Sequence, residues 1–139
     1  MSCWIYDNKC LEAIPGEGWF GFIYLITNLV DGRIYVGKKQ FTHRKKSKLS
    51  KKARKGTRKR VKVEQVDSQW LKYWSSSKEL QEDVKTLGED KFKREILAFC
   101  TSKAEMSYFE GKFQYEFRVL RVPSYNKWIM IRVFKNNLK

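Results

Sequence analysis

Trp19–Gly37 reads WFGFIYLITNLVDGRIYVG, and the rest of the fold is read outward from it. The first ten residues, WFGFIYLITN, are rich in aromatic and β-branched side chains and predict a buried strand. Leu29-Val30-Asp31-Gly32 then turns the chain, because Asp-Gly tolerates the positive φ angles of a tight hairpin. Arg33–Gly37 is the return strand. Tyr24 and Tyr35 lie eleven residues apart on the two arms, so their phenols are positioned to line one patch of the sheet. Tyrosines in strands are ordinarily core residues.

Upstream, residues 1–18 end in Pro15-Gly16-Glu17-Gly18 and read as a loop-like N-terminal extension. Downstream, Asp67 or Ser68 caps a short helix through QWLKYW. Ser76-Ser77-Lys78-Glu79 has capping-box spacing and opens a helix with Leu80, Val84 and Leu87 on one face, stopped by Gly88. Phe92–Cys100, FKREILAFC, predicts a third strand. Ser102-Lys103-Ala104-Glu105 opens a second helix to about Arg118, Pro123 stops it, and Trp128–Phe134 is a candidate last strand. The expectation is a single α+β domain over residues 1–139. It has a small, three- to four-stranded, mainly antiparallel sheet flanked by helices.

Charge is concentrated in one place. Of 30 Lys and Arg residues, 14 fall between Lys38 and Lys62, a stretch without any Asp or Glu, while the remaining 16 nearly balance all 15 acids. A near-neutral body therefore carries a cationic strap, KKQFTHRKKSKLSKKARKGTRKRVK, too self-repelling and too poor in apolar residues to pack alone. It is expected to be a long basic loop that orders on binding a polyphosphate, because each neutralised phosphate releases counterions. The nucleic-acid contacts expected of it are Lys38, Lys39, Lys45, Lys46, Lys51, Lys52, Arg54, Lys55, Arg58, Lys59 and Arg60. No apolar run is long enough to span a bilayer, and the strap has no sustained apolar face for a membrane surface.

Composition excludes several chemistries. A single His rules out Cys₂His₂ zinc fingers and two-histidine nucleases. Cys3, Cys10 and Cys100 are odd in number and lack CxxC spacing, so neither a disulfide framework nor a zinc ribbon is expected, and a reducing, intracellular setting is the simpler reading. On the second helix, Met106, Phe109, Phe113 and Phe117 share one sector at about 100° per residue. Glu110 falls inside that sector. Either it binds a cation or donors there, or it lies at the edge of the stripe and swings out to water.

Phe22-Ile23-Tyr24 followed by Tyr35-Val36-Gly37 resembles the paired signature of the GIY-YIG nuclease family, with Phe for the first Gly and Val for the second Ile. Glu110 on a downstream helix matches the family's metal-binding Glu. Asn126, in Ser124-Tyr125-Asn126-Lys127, stands sixteen residues later where the family commonly has Asn. The segment YWSSSKELQEDVKTLGEDKFKREIL looks like the middle of phage-encoded, free-standing endonucleases related to homing enzymes, and the resemblance spans about residues 20–127. It implies a metal-dependent DNA endonuclease using Mg²⁺ (or Mn²⁺) on Glu110, with no small-molecule cofactor. Its partner would be double-stranded DNA, cut by a monomer twice or by a homodimer on DNA, in the cytoplasm of the cell or of a phage host.

The roles that the resemblance implies are Tyr24 as general base or water-orienting group and Tyr35 as a second orienting or phosphate-contacting phenol. Arg44 is chosen for the family's Arg, which meets developing negative charge. His43 would be a proton shuttle or a plain phosphate contact. Asn126 would brace the site or hold Glu110. The rival reading is a non-catalytic basic nucleic-acid binder that keeps this fold. It explains the strap but leaves both tyrosines, Glu110 and Asn126 as coincidence.

Overall fold

A computed structural model describes residues 3–48, 51, 61–129, 132 and 135–138; the side chains of 45–48 and 61–63 fall outside the description. In chain order the strands are β1 (Trp4–Tyr6), β2 (Lys9–Leu11), β3 (Gly21–Asn28), β4 (Ile34–Gln40), β5 (Thr42–Lys48), β6 (Val61–Asp67) and β7 (Phe92–Cys100). The helices are α1 (Lys78–Leu87) and α2 (Lys103–Glu116), with 3₁₀ turns at Trp70–Lys72, Glu89–Lys91 and Lys135–Asn137.

The β3–β4 hairpin forms as its sequence implies, from Gly21↔Gln40 to Thr27↔Ile34. Its turn is wider than a two-residue Asp-Gly reversal. Leu29–Gly32 make a four-residue loop, closed by Asn28 N–H donating to Arg33 O at 2.8 Å, and Gly32 adopts φ 82° in its last position. β7 pairs antiparallel with the other side of β3, so β3 lies between two strands and is almost wholly buried. The helices also sit where their caps predict. Ser102 accepts from Glu105 N–H and Glu105 reaches back to Thr101 N–H, while the N-cap of α1 is Ser77, accepting from Leu80 N–H, one residue later than the Ser76–Glu79 spacing suggested.

Three expectations are corrected. Residues 1–18 are no mere lead-in. β1 and β2 join a five-stranded sheet of order β2-β1-β7-β3-β4, with β1 parallel to β7 and every other pairing antiparallel. The reason is Trp4, fully buried against Phe22 and Tyr24, with its indole N–H donating to Trp70 O at 2.7 Å. The β1–β2 reversal through Asp7 and Asn8, both at positive φ, also brings Cys3 and Cys10 within 5.8 Å Cα to Cα, where they form a disulfide that the odd cysteine count did not suggest. Finally, the strap is not one long loop. Lys38 and Lys39 lie on β4, and residues 42–48 and 61–67 pair as an antiparallel two-stranded ribbon. Backbone pairing can form there because β6 returns Glu64 opposite Lys45 and Asp67 opposite Thr42, diluting the charge of β5. Residues 49, 50 and 52–60 lie outside the described residues. So does most of the Trp128–Phe134 strand, of which Trp128 and Ile129 are irregular.

Each face of the five-stranded sheet carries one helix. Phe22, Tyr24 and Ile26 pack with Trp4, Phe41, Trp70, Tyr125 and, from α1, Leu80 and Val84. Ile23, Leu25 and Val36 pack with Cys100 and, from α2, Met106, Phe109 and Phe113. No helix among the described residues is long and apolar enough to cross a membrane.

Candidate active site

Strand alternation decides what β4 presents. Tyr35 and Gly37 face the α1 side with Tyr24, which is opposite Gly37 in register, whereas Val36 and Lys38 face α2. β4 is the last strand of the sheet, so groups from both faces can meet around its outer side. They do so in a cleft of about 480 Å³ lined by Tyr24, Tyr35, Lys38, Ser76–Glu79, Glu110, Gln114 and Tyr125–Trp128.

The phenols come first. Tyr24 is 1% exposed and its ring stacks on Tyr35 at 6.0 Å between centroids. Gly37 makes this approach possible: a Cβ there would lie 2.6 Å from the Tyr24 hydroxyl and 2.8 Å from the Tyr35 ring. Burial raises the Tyr24 pKa well above that of a free phenol, and the neighbouring Tyr73, Tyr35 and Glu110 add to the rise. Tyr35 is raised by burial too, opposed by its hydrogen bond with Ser76 Oγ at 3.2 Å. Both hydroxyls are therefore protonated in the chain by itself.

Glu110 supplies the acid. Its helix turns this face to the sheet, burying Met106 and Gln114 and half-burying the phenylalanines, and the carboxylate goes with them, 6% exposed. Oε1 is buried without a hydrogen-bond partner; the closest cation is the Lys38 ammonium at 3.8 Å, itself donating to Ser107 Oγ at 3.1 Å. Desolvation raises the Glu110 pKa, and Lys38 opposes it. A buried carboxylate oxygen with no donor is what a cation would satisfy. Among the described residues no cluster of three or more His, Cys, Asp or Glu exists, and of the two carboxylates lining the cleft, Glu110 and Glu79, Glu110 is the buried one.

Asn126 holds the strand rather than the acid. Its amide pairs with the edge of β4, Nδ2 donating to Val36 O at 2.8 Å and Oδ1 accepting from Val36 N–H at 2.9 Å. Next to it, Tyr125 N–H donates to Ile34 O at 2.8 Å, and the Tyr125 hydroxyl donates to Asp83 at 2.6 Å. Arg33 ties the hairpin loop to α1 through Asp83 (2.6 Å) and Glu79 (3.0 Å), with its guanidinium 4.3 Å above the Tyr125 ring. Tyr35, Val36 and Gly37 are thus fixed from both directions.

Residues 4–129 match the family described as "Putative endonuclease segE, GIY-YIG domain". The chain belongs to the GIY-YIG nuclease family. No curated protein and no solved structure matches it. Membership brings nuclease activity and a nucleic-acid substrate with it.

The cleft gathers Tyr24, Tyr35, Glu110 and Asn126 but not Arg44 or His43, which stand exposed on β5 in the separate ribbon. Of the expected basic contacts, Lys38 lines the cleft, and Lys39 lies 4.1 Å over the Tyr73 ring. The side chains of Lys45 and Lys46 are outside the description, Lys51 is exposed, and Lys52, Arg54, Lys55, Arg58, Lys59 and Arg60 lie outside the described residues. Sequence reasoning missed Lys38 as a partner of Glu110, although its place three residues after Tyr35, on a strand facing a helix, was a usable signal. It also missed Tyr73, whose ring meets Tyr24 edge-on at 6.0 Å, because WLKYW read as a helix.

Proposed function

We propose that this GIY-YIG protein is a metal-dependent endonuclease of the phage or mobile-element, homing-like type, hydrolysing phosphodiester bonds in double-stranded DNA. The observation that supports it most is the single cleft in which two stacked phenols face a buried carboxylate oxygen that no hydrogen bond satisfies.

Hydrolysis needs a positioned water, charge neutralisation on the phosphoryl oxygens and help for the departing 3′-oxygen. Glu110 would hold Mg²⁺ (or Mn²⁺), whose chemistry is neutralisation of phosphate and leaving-group charge. One carboxylate suits Mg²⁺, which retains several waters and takes substrate oxygens for the rest of its shell. Lys38 opposes the upward pull of burial on the Glu110 pKa and stands ready to pair with phosphate once the carboxylate is otherwise engaged. Tyr24 orients the attacking water through its hydroxyl. A role as general base demands the phenolate, which burial opposes and a nearby cation favours. Tyr35, held by Ser76 at the mouth, contacts water or phosphate, and Lys78 and Lys127 at the rim attract the backbone.

The site would work in the cytoplasm, a host's if the gene is phage-borne, where Cys3 and Cys10 would be kept as thiols. The β1–β2 hairpin does not rest on their bridge alone, since Trp4 and the strand pairing hold it too. Cutting both strands takes two events at one site or a homodimer on the DNA.

The test is nicking of supercoiled plasmid with Mg²⁺ and with chelator. The wild type nicks only with metal, and Tyr24→Phe and Glu110→Ala abolish nicking while still retarding DNA in a gel. Full activity in a folded Glu110→Ala protein would remove the metal proposal, and no nicking by the wild type under any divalent cation would leave the non-catalytic binder.

A further inference from the structure

We propose that the β5–β6 ribbon is a major-groove reading arm, and that Arg44 and Gln65 give the chain a base preference. This rests on the DNA-cleaving reading of the cleft, and extends it from phosphate chemistry to sequence choice.

β5 and β6 pair over seven residues each, from Thr42↔Asp67 to Lys48↔Val61, and neither packs extensively on any other element. A two-stranded ribbon standing alone in water is marginal. Here its base is nevertheless fixed. Phe41 is 2% exposed, its N–H donates to Phe20 O at 3.1 Å, Ser68 N–H donates to Phe41 O at 3.0 Å, and Ser68 Oγ donates to Gln40 O. A well-anchored arm that packs little on the rest of the fold is built to lie against a partner.

Shape and charge identify that partner. β5, THRKKSK, carries Arg44, three Lys and His43 and no acid. At about 3.3 Å per residue the ribbon reaches roughly 23 Å, and a two-stranded ribbon fits the major groove of B-DNA, which is about 12 Å wide. β4 runs from the cleft through Phe41 directly into β5, so an arm lying in the groove and a cleft on a nearby phosphate belong to one binding pose.

Direct readout comes from the face that carries Arg44. Cross-strand partners share a face, so Arg44 sits beside Gln65, with Thr42 and Asp67 nearer the base. Arg44 and Gln65 are both exposed, and Thr42 Oγ1 donates to Gln65 Oε1 at 2.8 Å, setting the orientation of that amide. The acid on this face is occupied, since Asp67 Oδ2 accepts from Gln69 N–H at 2.8 Å. Arg reads guanine O6 and N7 with two hydrogen bonds, and Gln reads adenine N6 and N7. A regular strand keeps such groups in register, which a disordered basic loop could not do.

The experiment is selection of bound duplexes from a random-sequence DNA pool by the full chain in chelator, followed by Mg²⁺-dependent nicking of the winners. The wild type is expected to enrich a short motif containing guanine. Arg44→Lys keeps the charge and should lose about tenfold of the preference for that guanine, and Gln65→Ala should relax an adjacent position. Replacing the guanine by 7-deazaguanine, which removes the N7 acceptor, should cost the wild type about tenfold and Arg44→Lys little. No motif, or a motif unchanged in Arg44→Lys, overturns the arm while metal-dependent nicking leaves the nuclease reading standing. An intact, Arg44-dependent motif without nicking would do the opposite, supporting the arm and removing the nuclease, and preference for structured RNA over every duplex would overturn the arm.

Discussion

At Glu110 burial and charge pull against each other. The aromatic stripe of α2 draws the residue inward, and its Oε1 finds no hydrogen bond, only Lys38 at 3.8 Å. Its pKa is raised, so the folded chain binds protons more tightly than the unfolded one, and the contribution of this group to stability falls as pH rises past the ordinary carboxylate range. Glu110→Gln should therefore raise the Tm at neutral pH by about 3 °C or more while nicking is lost. The gain should vanish in acid, where the wild-type carboxyl is neutral as well. Adding Mg²⁺ should raise the Tm of the wild type and leave Glu110→Gln unmoved; equal Mg²⁺ shifts in both proteins would place the ion elsewhere. Tyr73 acts on the other reacting group. Its phenol is the largest neighbouring influence keeping Tyr24 protonated, after burial itself. If the Tyr24 phenolate takes part, Tyr73→Phe should move the rising limb of the pH–rate profile to lower pH. An unmoved profile in an active Tyr73→Phe protein would leave Tyr24 to orient water as a neutral phenol.

Among the elements, β4 is the one on which the site depends, since its residues reach both halves of the cleft and its outer edge would be open without residues 123–126. Asn126 closes that edge with two hydrogen bonds to Val36, between Tyr35 and Gly37. Asn126→Ala should cost roughly 1–3 kcal/mol in chemical denaturation. It should lower the nicking rate at saturating DNA more than it weakens binding; undiminished stability would show that water replaces the amide without loss. The sequence makes these elements unequally legible. β3 and β7 bury long apolar stripes and α2 packs Met106 and half-buried phenylalanines on the sheet, so their patterns carry Tyr24 and Glu110 with them, and Tyr35 follows from the short hairpin that returns β4. β1 and β2 are three residues each, and Trp4 is the one wholly buried side chain in them, too few for any period to register. β5 has no apolar alternation at all. Its pairing becomes visible only when Val61–Asp67 is laid against it, so the sequence of β5 by itself reads as loop.

The whole molecule separates its tasks by charge: a near-neutral body holds the cleft, and the 38–62 segment carries almost all of the net +15. Contacts from that segment to phosphate release counterions, each lowering the slope of log K against log salt by about 0.9 on duplex DNA. If six to ten contacts form, affinity should fall by about 10³–10⁵ between 50 and 200 mM salt. Replacing Lys51, Lys52, Arg54 and Lys55 by Gln should flatten the slope by up to about 3.6, if all four meet phosphate. The body keeps Tyr24, Tyr35 and Glu110, so the rate at saturating DNA should be unchanged, with the loss appearing in the DNA concentration needed to reach it. Measurement of binding in chelator across a salt series, beside single-turnover nicking in Mg²⁺, separates the two quantities. A rate that fell in step with affinity would mean that the strap also positions the scissile phosphate, and a slope untouched by four lost charges would place the phosphate contacts on Lys38, Lys78 and Lys127 around the cleft instead.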